Sequence, residues 1–408
     1  MTNIEKKLID YIVDKRHLLL LGFILLVGAV IRLAGRNFMS ADMLYCLIPW
    51  FDQIRDTGGL SALSAQVGDY GLLYQTLISL MTYIDVFSAY QYKMLSVTFD
   101  VALAVMVAVI YRDIKLNDLK NQGGLQNSEG GYRKTVMLQA FIVGTVVWLL
   151  PTVIINSAYW GQCDSMYSFF CLATLYWLRK GSNVVAFVFL GLAFSCKLQT
   201  VFFLPFIGTY YLVSRRFSVF NVMISVAVLW LSGIVAFAYG RSLLEPLTIY
   251  YKQSIDYCEM FLNFSSSWVI LGNDYSALKW FAILFTLSAV VAGAFVCMNN
   301  KRFLAAKGDY YAIAAWFVWT MVLFLPSMHD RYAYPLDIML FLIGFIDRRY
   351  LKYAVLSMLI GFYHYGYYLI DGRFEEPIVL AAVYVLAYVH FSMTLYSQLK
   401  RRQCDSGQ

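Results

Sequence analysis

The sequence predicts an all-α polytopic membrane protein, and three observations carry that prediction. Its 408 residues are 60% apolar and only 14% charged, against about 25% charged in soluble proteins. Apolar runs suited to crossing a bilayer recur along the whole chain. The 32 Lys and Arg residues are also distributed so that the connections sort onto two sides of a membrane.

The apolar runs fall near 18–35, 90–111, 135–152, 162–178, 182–196, 200–213, 219–240, 277–297, 309–326, 332–347, 351–370 and 377–397. Those at 182–196 and 200–213 fall short of the ~20 residues that a perpendicular span needs. The first follows a charged N-terminus and lacks a small-residue cleavage site, so it reads as an uncleaved span. A thirteenth stretch, 69–85, carries Gln75, Thr76, Ser79 and Thr82 between Asp69 and Asp85. With 69–85 on the outer surface, 22 of the 32 Lys and Arg fall on the cytoplasmic side. If 69–85 spans, only 11 do. The positive-inside rule selects the first arrangement: twelve spans, both termini cytoplasmic, and 69–85 an interfacial helix on the outer face.

The net charge of +7 therefore concerns orientation. No basic, aromatic-interleaved stretch points to nucleic acid. Seven cysteines, at 46, 163, 171, 196, 258, 297 and 404, form no CxxC pair and lie mostly in apolar runs. That argues against a disulfide framework and a zinc site. Residues 1–408 read as one integral membrane domain without repeat, low-complexity tract or soluble module. The basic 112–134 segment, with Gly-Gly at 123–124 and 130–131, reads as a mobile cytoplasmic loop, and the C-terminal KRRQCDSGQ as a solvated tail.

Every unusual polar segment then falls on the outer side: 36–89, 156–164, 197–199, 241–275, 327–332 and 371–376. Asp42 lies a few residues beyond the first span. From Met43 to Leu63 the pattern suits a surface-lying helix broken at Pro49 and at Gly58-Gly59. Asp42 is either a general base near the membrane surface or, with Ser40, the cap of the helix starting at Met43. Asp52, Asp56 and Asp69 read as solvated or capping acids.

The stretch 156–167, NSAYWGQCDSMY, puts Asp164 at the lip of a span beside Trp160, Gln162 and Ser165. An acid there is a site candidate, although a polar loop with an interfacial Trp gives the same pattern. In CKLQTVFFLP, Lys197 and Gln199 interrupt two short apolar runs, which suits a snorkelling lysine or an anion contact equally. Arg32 carries the same ambiguity. The 241–275 loop holds Glu245, Asp256, Glu259 and Asp274, and its length suits a lid or binding segment. Its Asn263-Phe264-Ser265 is a sequon with meaning only in a eukaryotic secretory compartment. SMHDRYAYP places His329, Asp330 and Arg331 together at the mouth of two spans. Arg331 offers a planar fork for phosphate or carboxylate, and His329 titrates near neutrality or donates to an anion. His364 reads as an interhelical hydrogen-bonding group, and His17 and His390 as interfacial or structural.

An acid soon after the first span, GDY, WGQ-x-D-S, K-x-Q and M-H-D-R-Y-x-Y-P occur here in that order. The order resembles bacterial relatives of the second mannosyltransferase of GPI-anchor assembly, in the GT-C superfamily of polyprenyl-phosphate-sugar-dependent glycosyltransferases. The matching segments are 42–74, 160–167, 197–199 and 328–335, so the resemblance covers most of the chain. It implies the GT-C fold, with juxtamembrane helices between the first two spans, in a bacterial plasma membrane. It also implies that Asp42 is the base for the acceptor hydroxyl and Asp164 the second catalytic acid. His329, Asp330 and Arg331 would lie at the lipid phosphate with Lys197, supported by Gln162, Gln199, Asp69 and Tyr332. Two departures stand out: Asp330 replaces a longer glutamate, and no proline follows Lys197.

The implied reaction moves one sugar, mannose or another hexose-type residue, from a polyprenyl phosphate to a lipid-linked glycan or cell-envelope polymer. It requires no cofactor. A divalent cation shared by Asp42 and Asp164 is compatible with the residues but demanded by none of their spacings. Membrane lipid, the lipid-linked donor and the glycan acceptor are the expected partners. The rival is a flippase for lipid-linked glycans, which predicts ionisable groups near the bilayer midplane and repeat symmetry. The sequence instead places its charges at outer span ends.

Overall fold

Inside a bilayer each backbone amide must be satisfied within its own segment, so apolar runs become helices. The computed structural model describes residues 1–121, 129–300, 307–370 and 378–405. Each of the twelve apolar runs contains a helix. Four helices are long and apolar enough to cross a membrane among the described residues: Asn3–Asn37, Ser88–Asp118, Tyr275–Asn299 and Ile378–Arg401. Gly131–Leu149 and Pro151–Trp160, bent by 54°, add a fifth when taken as one broken span. The protein is thus an all-α membrane protein, but most of its apolar helices fall below the length expected of a simple span.

The shortening has local causes. Lys197 adopts an extended conformation and ends Asn183–Cys196. Ser232-Gly233 separates Val222–Leu231 from Ile234–Ala238. Asp347, also extended, ends Tyr334–Ile346 and caps the following turn through the Arg349 amide. Tyr334–Ile346 is apolar on all sides and buried along nearly its whole length, as a helix at the centre of a bundle should be.

The long connections collect at two ends. At one end, Lys115 donates to the Ile346 carbonyl, Lys180 pairs with Asp113 at 2.6 Å and Asn183 donates to the Arg216 carbonyl. This is the end rich in Lys and Arg. The 112–134 segment is less of a loop than its glycines suggest, because helices Ser88–Asn121 and Glu129–Leu149 enter it from both sides. Its residues 122–128, the segment 371–376 and the last three residues of the C-terminal tail lie outside the described residues.

At the other end, segment 35–87 folds into short helices. Met43–Leu47 is a π-helical turn that runs directly into Ile48–Asp56. Pro49 therefore does not break the helix. It occupies the first turn, where its missing N–H costs nothing. The stretch 69–85 is helical only over Leu72–Met81, about 15 Å, too short to span. It is also largely buried rather than lying on a surface. Thr76 and Ser79 return their hydroxyls to the carbonyls of Leu72 and Gln75, and Gln75 donates to the Ala65 carbonyl. At Gly71 a Cβ would lie 2.3 Å from the Ser195 carbonyl oxygen, so glycine is what lets this chain approach Asn183–Cys196.

The 241–275 segment is more ordered than a simple loop. It contains helix Glu245–Asp256, a 3₁₀ turn Ser267–Ile270 and a two-residue strand Phe261–Leu262. That strand pairs in parallel with Met328–His329, an element that two residues of sequence could not announce. It fastens the 241–275 segment to the His329–Arg331 motif.

Candidate active site

The site is built around one unusual turn. After the Pro151 bend, Ile155–Trp160 closes as a π-helix, and Gly161 follows at φ +79°. Only glycine fits there, because a Cβ would meet Met43 Cε at 2.3 Å. π-Turns are rare and concentrate at functional sites, and here one directs three side chains to three acids. Asn156 donates to Asp164 at 2.7 Å, Ser157 to Asp100 at 2.5 Å and Trp160 Nε1 to Asp42 at 2.8 Å. The stretch is therefore helical, not a polar loop. Trp160 is fully buried and is not an interfacial anchor.

Asp42 does not cap its helix. The Ser40 hydroxyl accepts from the Met43 amide at 3.1 Å, and the Asp42 side chain makes no capping bond. The carboxylate is thus released to the site. It accepts from Trp160 and from Gln162 Nε2 (2.7 Å) on Oδ2, and from the Tyr368 hydroxyl on Oδ1. A carboxylate offers about four acceptor positions, so one on Oδ1 remains for an incoming hydroxyl. Tyr368 stacks on Trp160 with centroids 4.7 Å apart, and Tyr70 holds Gln162 through a 3.0 Å hydrogen bond.

Asp164 opens the helix Asp164–Lys180, where the N-terminal dipole favours an acid. Lys197 pairs with its Oδ1, and Asn156 donates to Oδ2. This answers the question of Lys197: the lysine meets an anion, and that anion is the protein's own. The Asp164 side chain is 1% exposed and the Asp42 side chain 23%. A cavity of ≈ 890 Å³ is lined by Asp42, Lys197, His329, Asp330, Arg331, Tyr332, Gln162, Gln199 and Asp69, among others. Asp164 does not line it. As a group in contact with substrate Asp164 is therefore misplaced, and it holds Lys197 and Arg331 instead.

Arg331 lies between the two acids, with Nη1 3.6 Å from Asp42 Oδ2 and Nε 3.6 Å from Asp164 Oδ2. These distances are too long for hydrogen bonds. Its guanidinium also lies 5.4 Å from the Trp160 ring. A divalent cation shared by Asp42 and Asp164 does not fit this arrangement. The guanidinium fills the place between them, and Lys197 and Asn156 already engage both Asp164 oxygens. No group of three His, Cys, Asp or Glu suited to a metal occurs among the described residues.

Three consecutive residues on this wall each carry a buried polar atom without a hydrogen-bond partner: His329 Nε2, Asp330 Oδ1 and Arg331 Nε. Burial, with Arg331 and Lys197 nearby, lowers the His329 pKa to about 3. His329 is thus a neutral imidazole that can donate a hydrogen bond but does not titrate near neutrality. Burial raises Asp330 to about 7. Burial also works against the Arg331 charge, but Asp164, Asp330 and Asp42 outweigh it and hold its pKa above the ordinary range.

Other candidates separate cleanly. Asp52 and Asp56 pair with Arg55 on the surface at 2.9 and 3.4 Å. Glu245 pairs with Arg241, Asp274 caps the Tyr275–Asn299 helix, and Glu259 is exposed; none of the three lines the cavity. The Asp256 side chain lies outside the described residues. From this segment the cavity takes Tyr250, Gln253, Tyr257, Leu262, Asn263 and Tyr275 instead. His364 bonds to Ser265 Oγ at 2.8 Å, a loop partner rather than a helix, whereas His390 meets Tyr353 across two helices at 2.9 Å.

Asp100 is a buried acid in the interior of the helix Ser88–Asn121. Arg32 neither snorkels nor meets a substrate anion. It pairs with Asp100 at 3.0 Å, donates to the Trp148 carbonyl at 2.8 Å and stacks 3.5 Å over the Trp148 ring. Asp337, in the first turn of its helix, accepts from Ser357 at 2.5 Å. Sequence reading missed Tyr368 and Asn156. Tyr368 is one of four tyrosines between 363 and 368, and nothing local selects it. Asn156 lies four positions beyond the apolar run 135–152, and the π-turn directs it to Asp164.

Comparison of the chain with protein-family models and with curated proteins finds no match.

Proposed function

We propose that the chain is an inverting glycosyltransferase of the GT-C type, with twelve membrane-embedded helices and its cavity on the outer face of a bacterial plasma membrane. It moves one sugar, mannose or a similar hexose, from a polyprenyl phosphate to a lipid-linked glycan or cell-envelope polymer. The observation that supports this best is the placement of Asp42: a carboxylate with one open acceptor position, facing a large cavity whose wall carries Arg331 and Lys197.

In a single displacement the acceptor oxygen attacks the anomeric carbon as the carbon–oxygen bond to the phosphate breaks. The bonding pair leaves with the phosphate, and the hydroxyl proton passes to Asp42. Trp160, Gln162 and Tyr368 fix that carboxylate from three directions, which limits its motion during attack. The leaving phosphate gains negative charge, and Arg331 offers it a fork of donors that no group among the described residues engages within hydrogen-bond distance. Neutral His329 contributes a hydrogen bond rather than charge. Asp164 keeps Lys197 and Arg331 at this wall. Arg331 stands 3.6 Å from both Asp42 and Asp164, so a phosphate bound to its fork competes with Asp42 for the same cation.

The test is transfer in membranes supplied with a polyprenyl-phosphate sugar. Asp42→Asn is expected to fold and to lose transfer, and retained transfer overturns the assignment of Asp42. Absence of any transfer by the parent chain with such donors overturns the glycosyltransferase reading.

A further inference from the structure

Trp50 stands in the same cavity and plays no part in the chemistry just described. It lies in the helix Ile48–Asp56, is partly exposed, and lines the cavity with Cys46 and Tyr70. One face of its indole rests on Gly68, where a Cβ would come within 2.6 Å of the ring. Gly68 has φ +72°, so both space and backbone demand glycine there. The loop behind the ring is pinned. Gln66 donates to the carbonyls of Gly68 and Tyr70 at 2.7 and 2.9 Å, and buried Arg241 donates to Gln66. Tyr70 meets the indole edge-on at 6.0 Å. Trp50 Nε1 bonds to no partner among the described residues.

A tryptophan held flat against a glycine, with its N–H unused and a polar cavity before it, is poorly explained by packing. A core Trp would be enclosed, as Trp160 and Trp319 are, whereas Trp50 is partly exposed at the cavity. The neighbouring cavity wall is polar, and the cation nearest Tyr70, Lys197 at 6.0 Å from its ring, is already paired with Asp164. Asp69 is exposed there, and Gln253 donates to the Asp69 carbonyl at 2.6 Å. The same wall leads to the base, because Tyr70 bonds to Gln162 and Gln162 to Asp42.

We propose that Trp50, backed by Gly68, is a stacking platform for a sugar ring of the acceptor, with Asp69 and Gln253 beside it for hydroxyl contacts. A neutral polyol suits this wall: its C–H face covers an aromatic ring, its hydroxyls reach an amide, a carboxylate and the free indole N–H, and it carries no charge needing a cation. The subsite names the acceptor as a carbohydrate and rests on the glycosyltransferase reading for its purpose, though not for its binding.

The test separates the two. Binding of mannotetraose, a soluble oligosaccharide probe, to the full-length protein in detergent is measured by titration, beside sugar transfer from a polyprenyl phosphate in membranes. Trp50→Leu is expected to weaken probe binding about tenfold and to raise the acceptor KM without moving the donor KM. Trp50→Phe keeps a ring without the N–H and should fall between. If Trp50→Leu is not recovered folded, Trp50→Phe carries the test, and equal affinity to the parent overturns the platform. Unchanged acceptor KM and probe affinity in Trp50→Leu also overturn it, as does a parent protein that binds no probe. Probe binding lost with Trp50, in a protein that transfers no sugar, leaves the subsite standing and the glycosyltransferase reading fallen.

Discussion

Two arginine–carboxylate pairs lie on either side of the Ile155–Trp160 turn, and their difference separates structure from site. Arg32 and Asp100 are both closed off, at 4% and 0% side-chain exposure. Asp100 Oδ2 accepts two bonds from Arg32 and one from Ser157, and Arg32 also donates to the Gly28 and Trp148 carbonyls. Arg331 and Asp42 are 18% and 23% exposed and stand 3.6 Å apart. Arg331 keeps one orphaned nitrogen, next to orphaned atoms of His329 and Asp330. Buried polar groups are normally satisfied. Asp100 Oδ1 is orphaned as well, so what separates the pairs is enclosure: the closed pair holds helices together, and the partly exposed pair faces the cavity.

The comparison can be broken by substitution. Asp42→Asn should lower transfer by roughly 100-fold or more while the melting temperature in detergent stays near that of the parent. Arg32→Met should do the reverse: it leaves Asp100 buried without its cation and costs about 3–5 kcal/mol of stability, read by thermal unfolding, with the folded fraction still active. If Arg32→Met is stable and inactive, the closed pair is part of the site. Asp164→Asn falls between the two, because Lys197 and Arg331 lose their anchor. Both stability and transfer should drop, the stability by about 3 kcal/mol. Trp160→Phe keeps the stacking on Tyr368 and loses one hydrogen bond to Asp42, so transfer should fall about tenfold with little change in folding.

The smallest effect concerns pH. Asp330 has its pKa raised from 3.8 to about 7 by burial, so the folded protein holds this proton longer than the unfolded chain. Its contribution to stability is complete below 3.8 and is lost as pH rises through 7. Asp330→Asn should remove that loss, flattening the stability profile between these values. An unchanged profile would show that Asp330 is ionised in the folded protein.

Much of this was legible in the sequence for definite reasons. Helix content follows from apolar runs, because a bilayer leaves the backbone no other partner. Asp42, Asp164, Lys197 and His329–Arg331 stood out because ionisable residues beside apolar runs are costly, and the structure gathers all of them at one end. Tyr368 did not stand out, because an aromatic beside a span is ordinary. The family resemblance already set Asp42 apart from Asp164 as the base, and the structure adds their difference in exposure, 23% against 1%.

The sequence by itself determined that the chain is helical and membrane-embedded, and which acids and bases lie near span ends, since composition and periodicity act locally. The tertiary structure alone decided which carboxylate faces the cavity, which lysine is spent on an aspartate, and where a guanidinium replaces a shared cation. Those outcomes depend on a π-turn, two left-handed glycines and a two-residue strand pairing. Each joins residues distant in sequence, and the energy of each comes from partners that no local pattern specifies.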